Sequence, residues 1–400
     1  MTPAPFAFAA VLALTLCATP RDASPRDASP RDVSPRDVSP RVAPAPGAAP
    51  ADTTVAARAA RLVAEAVGVD THIDTPDRLT TELWEDVGVR TTRGHFDYPR
   101  ARAGGLDVAF MSIYVPARLQ EEGGARAYAD ALIDTVEAIV RRAPDRFAVV
   151  RSVAEAMAIA GTDRVGLALG IENGAALEGD VAAVRHFRDR GVRYITLTHS
   201  RPNDLSDPSY GTQRPHGGLS PLGERVVAEM NRLGVMVDVS HLSDAAFDDV
   251  LRVSRAPVVA THSSARHFTP GWERNLDDGR IRALAAAGGV IQISFGSMFI
   301  TPAYQAALNV SNPEPPRGTV SDVADHIDHV VRLVGADHVG IGSDYDGVPS
   351  VPVGLQDVST YPALVAELLG RGYAEGDVRK LLGENLLRVW RDVERLAEAE

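Results

Sequence analysis

The sequence predicts an α/β fold, a single (β/α)8 TIM barrel, on three observations. Eight short apolar runs alternate with amphipathic helix-like segments, the pattern of successive parallel βα units. Most of these runs end in an acid or an imidazole, namely His72 and Asp74, Glu172, His199, His241, His262 and Asp344. Functional groups of such barrels come from the carboxyl ends of several strands and face one mouth. Finally, no glycine-rich dinucleotide or phosphate loop marks the switch point of an open doubly wound sheet.

Taken in order, the chain opens with an apolar run from Phe6 to Leu16. It has signal-peptide length and is too short to span a bilayer. Cys17, the only cysteine, follows it and is the candidate lipidation site for a membrane tether. The pentapeptide Arg-Asp-Ala/Val-Ser-Pro then recurs four times from Arg21 to Pro40 and leads into a Pro/Ala-rich stretch. Such a segment cannot bury apolar surface and reads as an extended spacer or as a repeat without a role. The expected organisation is a signal peptide or lipoprotein signal over 1–19, a disordered linker over 20–52 and the barrel over 53–400. It implies an exported protein, periplasmic, secreted or membrane-tethered.

Helical periodicity begins at Thr53. The predicted strands are Ala66–Thr71, Val108–Tyr114, Val165–Ile171, Tyr194–Thr198, Val235–Ser240, Pro257–Thr261, Val290–Phe295 and Val339–Ser343. Between them lie helix-like stretches over Arg126–Arg142, Asp180–Arg190, Leu222–Leu233, Asp244–Val253, Arg280–Ala287 and Val320–Val334. At 400 residues and 45% apolar content, one barrel with insertions uses nearly all of the chain. A net charge of −12 with no basic block excludes a nucleic-acid footprint. The predicted barrel holds no cysteine, which excludes disulfides and thiolate ligands there.

The chemistry-bearing residues follow the strands. His72 and Asp74 are two residues apart at a strand end, so their side chains project the same way and can grip one cation. Glu172 ends the apolar run Gly166–Ile171, where an unpaired carboxylate is costly. Two cations offset that cost, and so does an arginine. His241 and His262 close consecutive strands and form a second grip. With Glu172 bridging, the set holds two ions, and such pairs lie about 3.5–4 Å apart and supply a hydroxide near neutral pH. Imidazole and carboxylate without thiolate suit Zn2+, with Mn2+ or Co2+ as alternatives. His326 and His329, at helical spacing, read as structural, and so does His186. His95, His216 and His267 are loop residues that can reach a substrate. Asp344-Tyr-Asp-Gly347 lacks the remaining ligands of a calcium loop.

Several stretches in fixed order resemble the membrane (renal-type) dipeptidases, peptidase family M19. They are Gly166-Leu-Ala-Leu-Gly-Ile-Glu-Asn-Gly174, Tyr194-Ile-Thr-Leu-Thr-His-Ser200, Gly218–Val227, Asn231–His241, Ala256–Ala265, Arg274-Asn-Leu-Asp-Asp278 and Gly342–Val348. The resemblance runs from about Val69 to Leu396. It implies a metal-dependent hydrolase barrel and a zinc dipeptidase acting through a hydroxide that bridges two metals. His72 and Asp74 would hold one ion, His241 and His262 the other, and Glu172 would bridge them. By the same resemblance His199 steadies the oxyanion, Arg274 holds a substrate carboxylate or carbonyl oxygen, and Asp344 carries the proton from water to the leaving amine. It also implies a homodimer and tolerance of a D-residue at the carboxyl-terminal position of the dipeptide.

The chain departs from the animal enzymes of that family at Ile73, at Arg201-Pro-Asn-Asp204 and over Gly296–Arg317, and these departures limit how far the resemblance reaches into substrate preference. Three rivals stand beside the dipeptidase. Another binuclear amidohydrolase, acting on a lactone or amide, would usually show His-x-His on the first strand. Many also use a carbamylated lysine, for which Lys380, the only lysine, lies too late in the chain. A serine hydrolase lacks its Gly-x-Ser-x-Gly. A non-catalytic tethered binding protein would tolerate loss of ligands, and none is lost.

Overall fold

The computed structural model describes residues 54–310 and 314–397. The expected signal segment, Cys17 and the whole of the expected linker lie outside the described residues. The body from Asp52 onward is one compact unit, and no helix among the described residues is long and apolar enough to cross a membrane.

Among the described residues there are nine strands: β1 (Val69–Ile73), β2 (Val108–Tyr114), β3 (Phe147–Val149), β4 (Val165–Glu172), β5 (Val192–Thr196), β6 (Met236–Asp238), β7 (Val259–Ser263), β8 (Val290–Ile293) and β9 (Val339–Ile341). Eight of them form the parallel order β1-β2-β4-β5-β6-β7-β8-β9. The ends of this ribbon meet where Ile73 bridges Tyr345, with the amide of Asp74 donating to the Tyr345 carbonyl at 2.8 Å and that of Asp344 to the His72 carbonyl at 3.0 Å. The expected barrel is therefore present and nearly closed. The ninth strand, β3, was not among the expected eight. It pairs with Val165–Leu167 of β4, a stretch that β5 leaves free because its own pairing starts at Leu169. A buried backbone edge needs partners, and three residues of β3 supply them.

The helices start where the sequence offers caps. Ser220 accepts from the amide of Gly223 ahead of helix 221–233, Ser243 from Ala246 ahead of helix 244–253, and Thr319 forms a capping box with Asp322 ahead of helix 320–334. Their apolar faces pack on the outside of the strands in the main core.

Inside the barrel two levels differ. At the amino-terminal mouth, Leu386, Trp390 and Val393 of helix Asn385–Leu396 pack against Phe110, Val69 and Val290, and Trp390 meets Phe110 edge-on at 5.3 Å. This apolar plug seals that end. Above it the interior turns polar. Tyr194 points inward across Gly170, where a Cβ would come within 1.9 Å of the ring, so only glycine admits it.

Two buried aspartates explain why pairing stops earlier than expected. Asp70 Oδ1 accepts from the amides of His72 and Ser343, both at 3.0 Å. Asp238 Oδ1 accepts from those of Ser240 (3.0 Å) and Thr261 (2.9 Å). Carboxylates thus replace ladder partners at the carboxyl ends, and β6 and β9 end at Asp238 and Ile341, short of the expected Ser240 and Ser343.

Candidate metal centre

The positions above those strand ends converge. Register places Tyr114 opposite Glu172 and Glu172 opposite Thr196, at the last turn of the barrel wall. His72 is the fourth residue of β1 and Asp74 follows its end, while His262 lies within β7. His241 and Asp344 stand three residues beyond β6 and β9, and both adopt left-handed backbone, φ 66° and 64°. So does Asn173, at 85°, directly after Glu172. Such conformations cost of order 1–3 kcal/mol and gather at functional sites. Here they turn side chains into the mouth that strand periodicity alone would not aim there.

Glu172 is the hub. Its Oε1 lies 2.9 Å from His241 Nε2, 3.2 Å from His262 Nε2 and 3.5 Å from His199 Nε2, and its Oε2 lies 3.4 Å from His72 Nε2. His72 Nε2 is also 3.4 Å from Asp74 Oδ2. The two nitrogens of His241 and His262 approach to 2.7 Å. No arginine pairs with Glu172 among the described residues, and the salt-bridge alternative to metal binding finds no support.

Hydrogen bonds on the far sides of the rings fix which nitrogen faces Glu172 with a lone pair. The Tyr194 hydroxyl donates to the Thr71 carbonyl (3.1 Å) and therefore accepts from His72 Nδ1 (2.9 Å). The Thr261 hydroxyl donates to Asp238 Oδ2 (2.7 Å) and accepts from His262 Nδ1 (2.8 Å). Both rings thus carry a proton on Nδ1 and turn Nε2 inward. His72 Nε2 is buried without a hydrogen-bond partner. A buried nitrogen without a partner beside two carboxylates fits a cation between them, and nitrogen and oxygen donors without thiolate fit a borderline divalent ion.

Among the described residues three groups can hold such an ion: His72, Glu172 and His262; Glu172, His199 and His241; and His72, Asp74 and Asp344. All five expected ligands are brought together. The grouping differs from the expected pairs: His262 joins His72, on whose ring it stacks at 3.6 Å between centres, His241 is grouped with His199, and Asp344 joins His72 and Asp74.

Electrostatics follow from burial. Desolvation and the nearby Arg274 cation hold His241 well below the ordinary histidine range, and desolvation and His72 do the same for His262, so both are neutral. Desolvation opposes ionisation of Glu172, but the surrounding imidazoles outweigh it and hold its carboxyl well below the ordinary range. Burial pushes Asp344 up to about 7, with Asp74 and Glu172 adding repulsion. Burial also lowers His199, which leaves it a neutral donor beside the hub.

A cavity of about 300 Å³ opens over this cluster. Asp74, Glu172, His199, His241, His262 and Asp344 line it. Arg274 lies buried behind these residues, with Nη1 on Ser263 Oγ (3.0 Å) and Nη2 on the His262 carbonyl (2.7 Å) and His241 Nε2 (3.1 Å). Its guanidinium stands 4.9 Å above the ring of Phe299, which also lines the cavity.

Sequence reasoning did not single out Asp77, Tyr114, Tyr210, Met298, Phe299 or Asp346 as lining residues. Tyr114 had a signal, since it ends the second apolar run as Glu172 ends the third. The loop histidines serve other ends. His95 accepts from the Asp346 amide through Nδ1 (3.0 Å), His216 bonds the Asn203 carbonyl (2.8 Å) and His267 stacks on His329 at 4.4 Å. The structural reading of the helix histidines agrees with their bonds. His326 bonds the Ala265 amide and the Ile300 carbonyl, His329 bonds Asp278 and His186 bonds Asp130.

Comparison with known proteins agrees with this geometry. The family profile of the membrane dipeptidases (peptidase family M19) matches residues 56–400. Dipeptidase 3 of Mus musculus is 36% identical over 340 residues, 82% of this chain, and the chain spans 65% of that protein's length. Dipeptidase aclJ of Aspergillus oryzae is 39% identical over 313 residues, 76% of this chain and 72% of its own length. Among solved structures, a metallo peptidase from Rhodobacter sphaeroides, liganded with a phosphinate mimic of L-Ala-D-Ala, superposes with a TM-score of 0.72 at 30% identity, covering 82% of this chain and all of its own. The probable dipeptidase PvdM from Pseudomonas aeruginosa reaches 0.79 at 27% identity, covering 86% of this chain and 99% of its own. With the family profile spanning nearly the whole barrel and the ligand cluster standing at its carboxyl-terminal mouth, the chain belongs to the membrane dipeptidase family, the metallopeptidases of family M19.

Proposed function

We propose that this protein hydrolyses dipeptides with two zinc ions held by His72, Asp74, Glu172, His241 and His262. The observation that carries the reading is the convergence of four imidazole nitrogens on the single buried carboxylate of Glu172, two of them turned inward as Nε2 by the bonds of Nδ1 to Tyr194 and Thr261. Ions bound there would polarise the scissile carbonyl and make hydroxide available near neutral pH.

The chain's own residues supply the rest. Neutral His199 donates a hydrogen bond to the oxygen on which negative charge develops. Arg274 offers a planar fork to the substrate carboxylate or carbonyl oxygen, exchanging its bond to His241 for one to substrate. Asp344, raised to about 7, takes a proton at one carboxylate oxygen and returns it to the leaving amine. The likeness to a peptidase that holds a mimic of L-Ala-D-Ala supports acceptance of a D-residue at the carboxyl-terminal position. Residues 1–19 direct export in this reading, and 20–52 space the barrel from a membrane anchored at Cys17.

The test is release of free amino acids from L-Ala-L-Ala and L-Ala-D-Ala by zinc-loaded and by chelated protein. Zinc-dependent release is expected, and the ratio of the two substrates reports the stereochemical preference. No release from either while two ions stay bound would redirect the assignment to another amide or lactone.

A further inference from the structure

One carboxylate on the cavity wall takes no part in the ligand cluster. Asp77 sits in the first turn of helix Thr75–Thr81, three residues after Asp74, and both line the cavity. Residues at that spacing share a helix face. The Tyr128 hydroxyl, from helix Ala125–Arg142, donates to Asp77 Oδ1 at 2.9 Å and holds the carboxylate in place. The adjacent cation Arg78 is engaged elsewhere, on Asp346 at 3.1 Å and Glu85 at 3.2 Å. Asp346 is satisfied in turn by Arg78, Thr75 and the amide of His95. Among the described residues, Asp77 is the cavity carboxylate with neither a basic partner nor a place among the metal-ligand groups.

Its position is opposed to that of Arg274. Asp77 follows β1 and lines the cavity with Tyr114, at the end of β2, whereas Arg274 follows β7 and bonds Ser263, at the end of that strand, and His241. Glu172, at the end of β4, stands between these sides in the strand order. A dipeptide lying across Glu172 with its carboxylate toward Arg274 turns its amino-terminal residue toward Asp77. We infer that Asp77 is a specificity-determining residue that receives the positive charge of the substrate's amino-terminal residue, an inference that rests on the dipeptidase reading. Two groups carry that chemistry, the α-ammonium common to all dipeptides and the side chain of an amino-terminal lysine or arginine.

The test compares the zinc-loaded wild type with Asp77→Asn, whose amide oxygen can still accept from Tyr128. The substrates are L-Ala-L-Ala, L-Lys-L-Ala and N-propanoyl-L-alanine, which lacks the α-ammonium, and thermal melts confirm that both proteins are folded. If the α-ammonium is the ligand, the wild type prefers L-Ala-L-Ala over N-propanoyl-L-alanine in kcat/KM, and Asp77→Asn lowers that ratio about tenfold. If the side chain is the ligand, the ratio of L-Lys-L-Ala to L-Ala-L-Ala falls by a similar factor. Both ratios unchanged in a folded, active variant would overturn the assignment alone. A zinc-loaded wild type inert on all three substrates would withdraw the dipeptidase reading, and the assignment with it.

Discussion

The two mouths of the barrel are built from the same strands and solve opposite problems. At the amino-terminal mouth Trp390, Phe110 and their neighbours fill the space with apolar side chains in ordinary backbone. At the carboxyl-terminal mouth four cavity-side residues, Asn173, His241, Asp344 and Asp346, sit in left-handed backbone. Buried polar atoms such as His72 Nε2 and His241 Nδ1 lack partners there, and like-charged carboxylates crowd together. One end maximises burial, and the other gives up stability for a set of donors that makes sense only around cations. Conserving the fold and changing the chemistry should therefore be separable by mutation.

The largest expected effect is at the hub. Glu172→Gln removes the carboxylate shared by two of the three ligand groups, losing several kcal/mol of charge stabilisation, so kcat/KM should fall by at least roughly a thousandfold. Fold is expected to persist, as checked by circular dichroism. Near-wild-type turnover would break the contrast between the mouths from the functional side.

At the opposite mouth, Trp390→Ala should cost about 4 kcal/mol of unfolding free energy in denaturant titration, while metal content of the folded protein stays as in wild type. A large loss of bound metal at unchanged stability would show that the plug is not merely a plug.

Histidines sharpen the same contrast. His326 is buried with Nδ1 accepting from the Ala265 amide and Nε2 donating to the Ile300 carbonyl, so its neutral form is complete. Burial holds its pKa down at about 4. Below pH 6.5 the unfolded chain takes up a proton that the folded chain refuses. Stability is therefore fully present above pH 6.5 and declines as pH falls toward 4, by about 3 kcal/mol from this residue. His326→Asn should flatten that part of the stability profile, and an unaltered slope would contradict the assignment.

The smallest effect concerns support rather than ligation. Tyr194→Phe frees His72 Nδ1 to choose either tautomer, and zinc affinity measured by competition with a chromophoric chelator should fall about 10- to 100-fold.

Much of this was legible in the sequence because strands of a buried parallel barrel read as apolar runs, and an acid or imidazole at the end of such a run stands out. Glu172 and His262 are the plain cases. His241 and Asp344 were found for a partly different reason than their geometry supplies, since left-handed backbone rather than strand continuation aims them inward. Tyr114 was missed because tyrosine at a strand end looks like more strand. Asp77 was missed because a single acid in a helical first turn is ordinary until Tyr128, from a distant helix, is seen to hold it. β3 is too short to carry a periodic signal, and the role of His95 depends on its contact with Asp346, which sequence distance conceals.

The most direct test is to titrate zinc into chelated protein while counting bound metal and following dipeptide hydrolysis. Two ions per chain, with activity rising only as the second site fills, is the expected result. Full activity in metal-free protein would contradict the account, and so would saturation at one ion with full turnover.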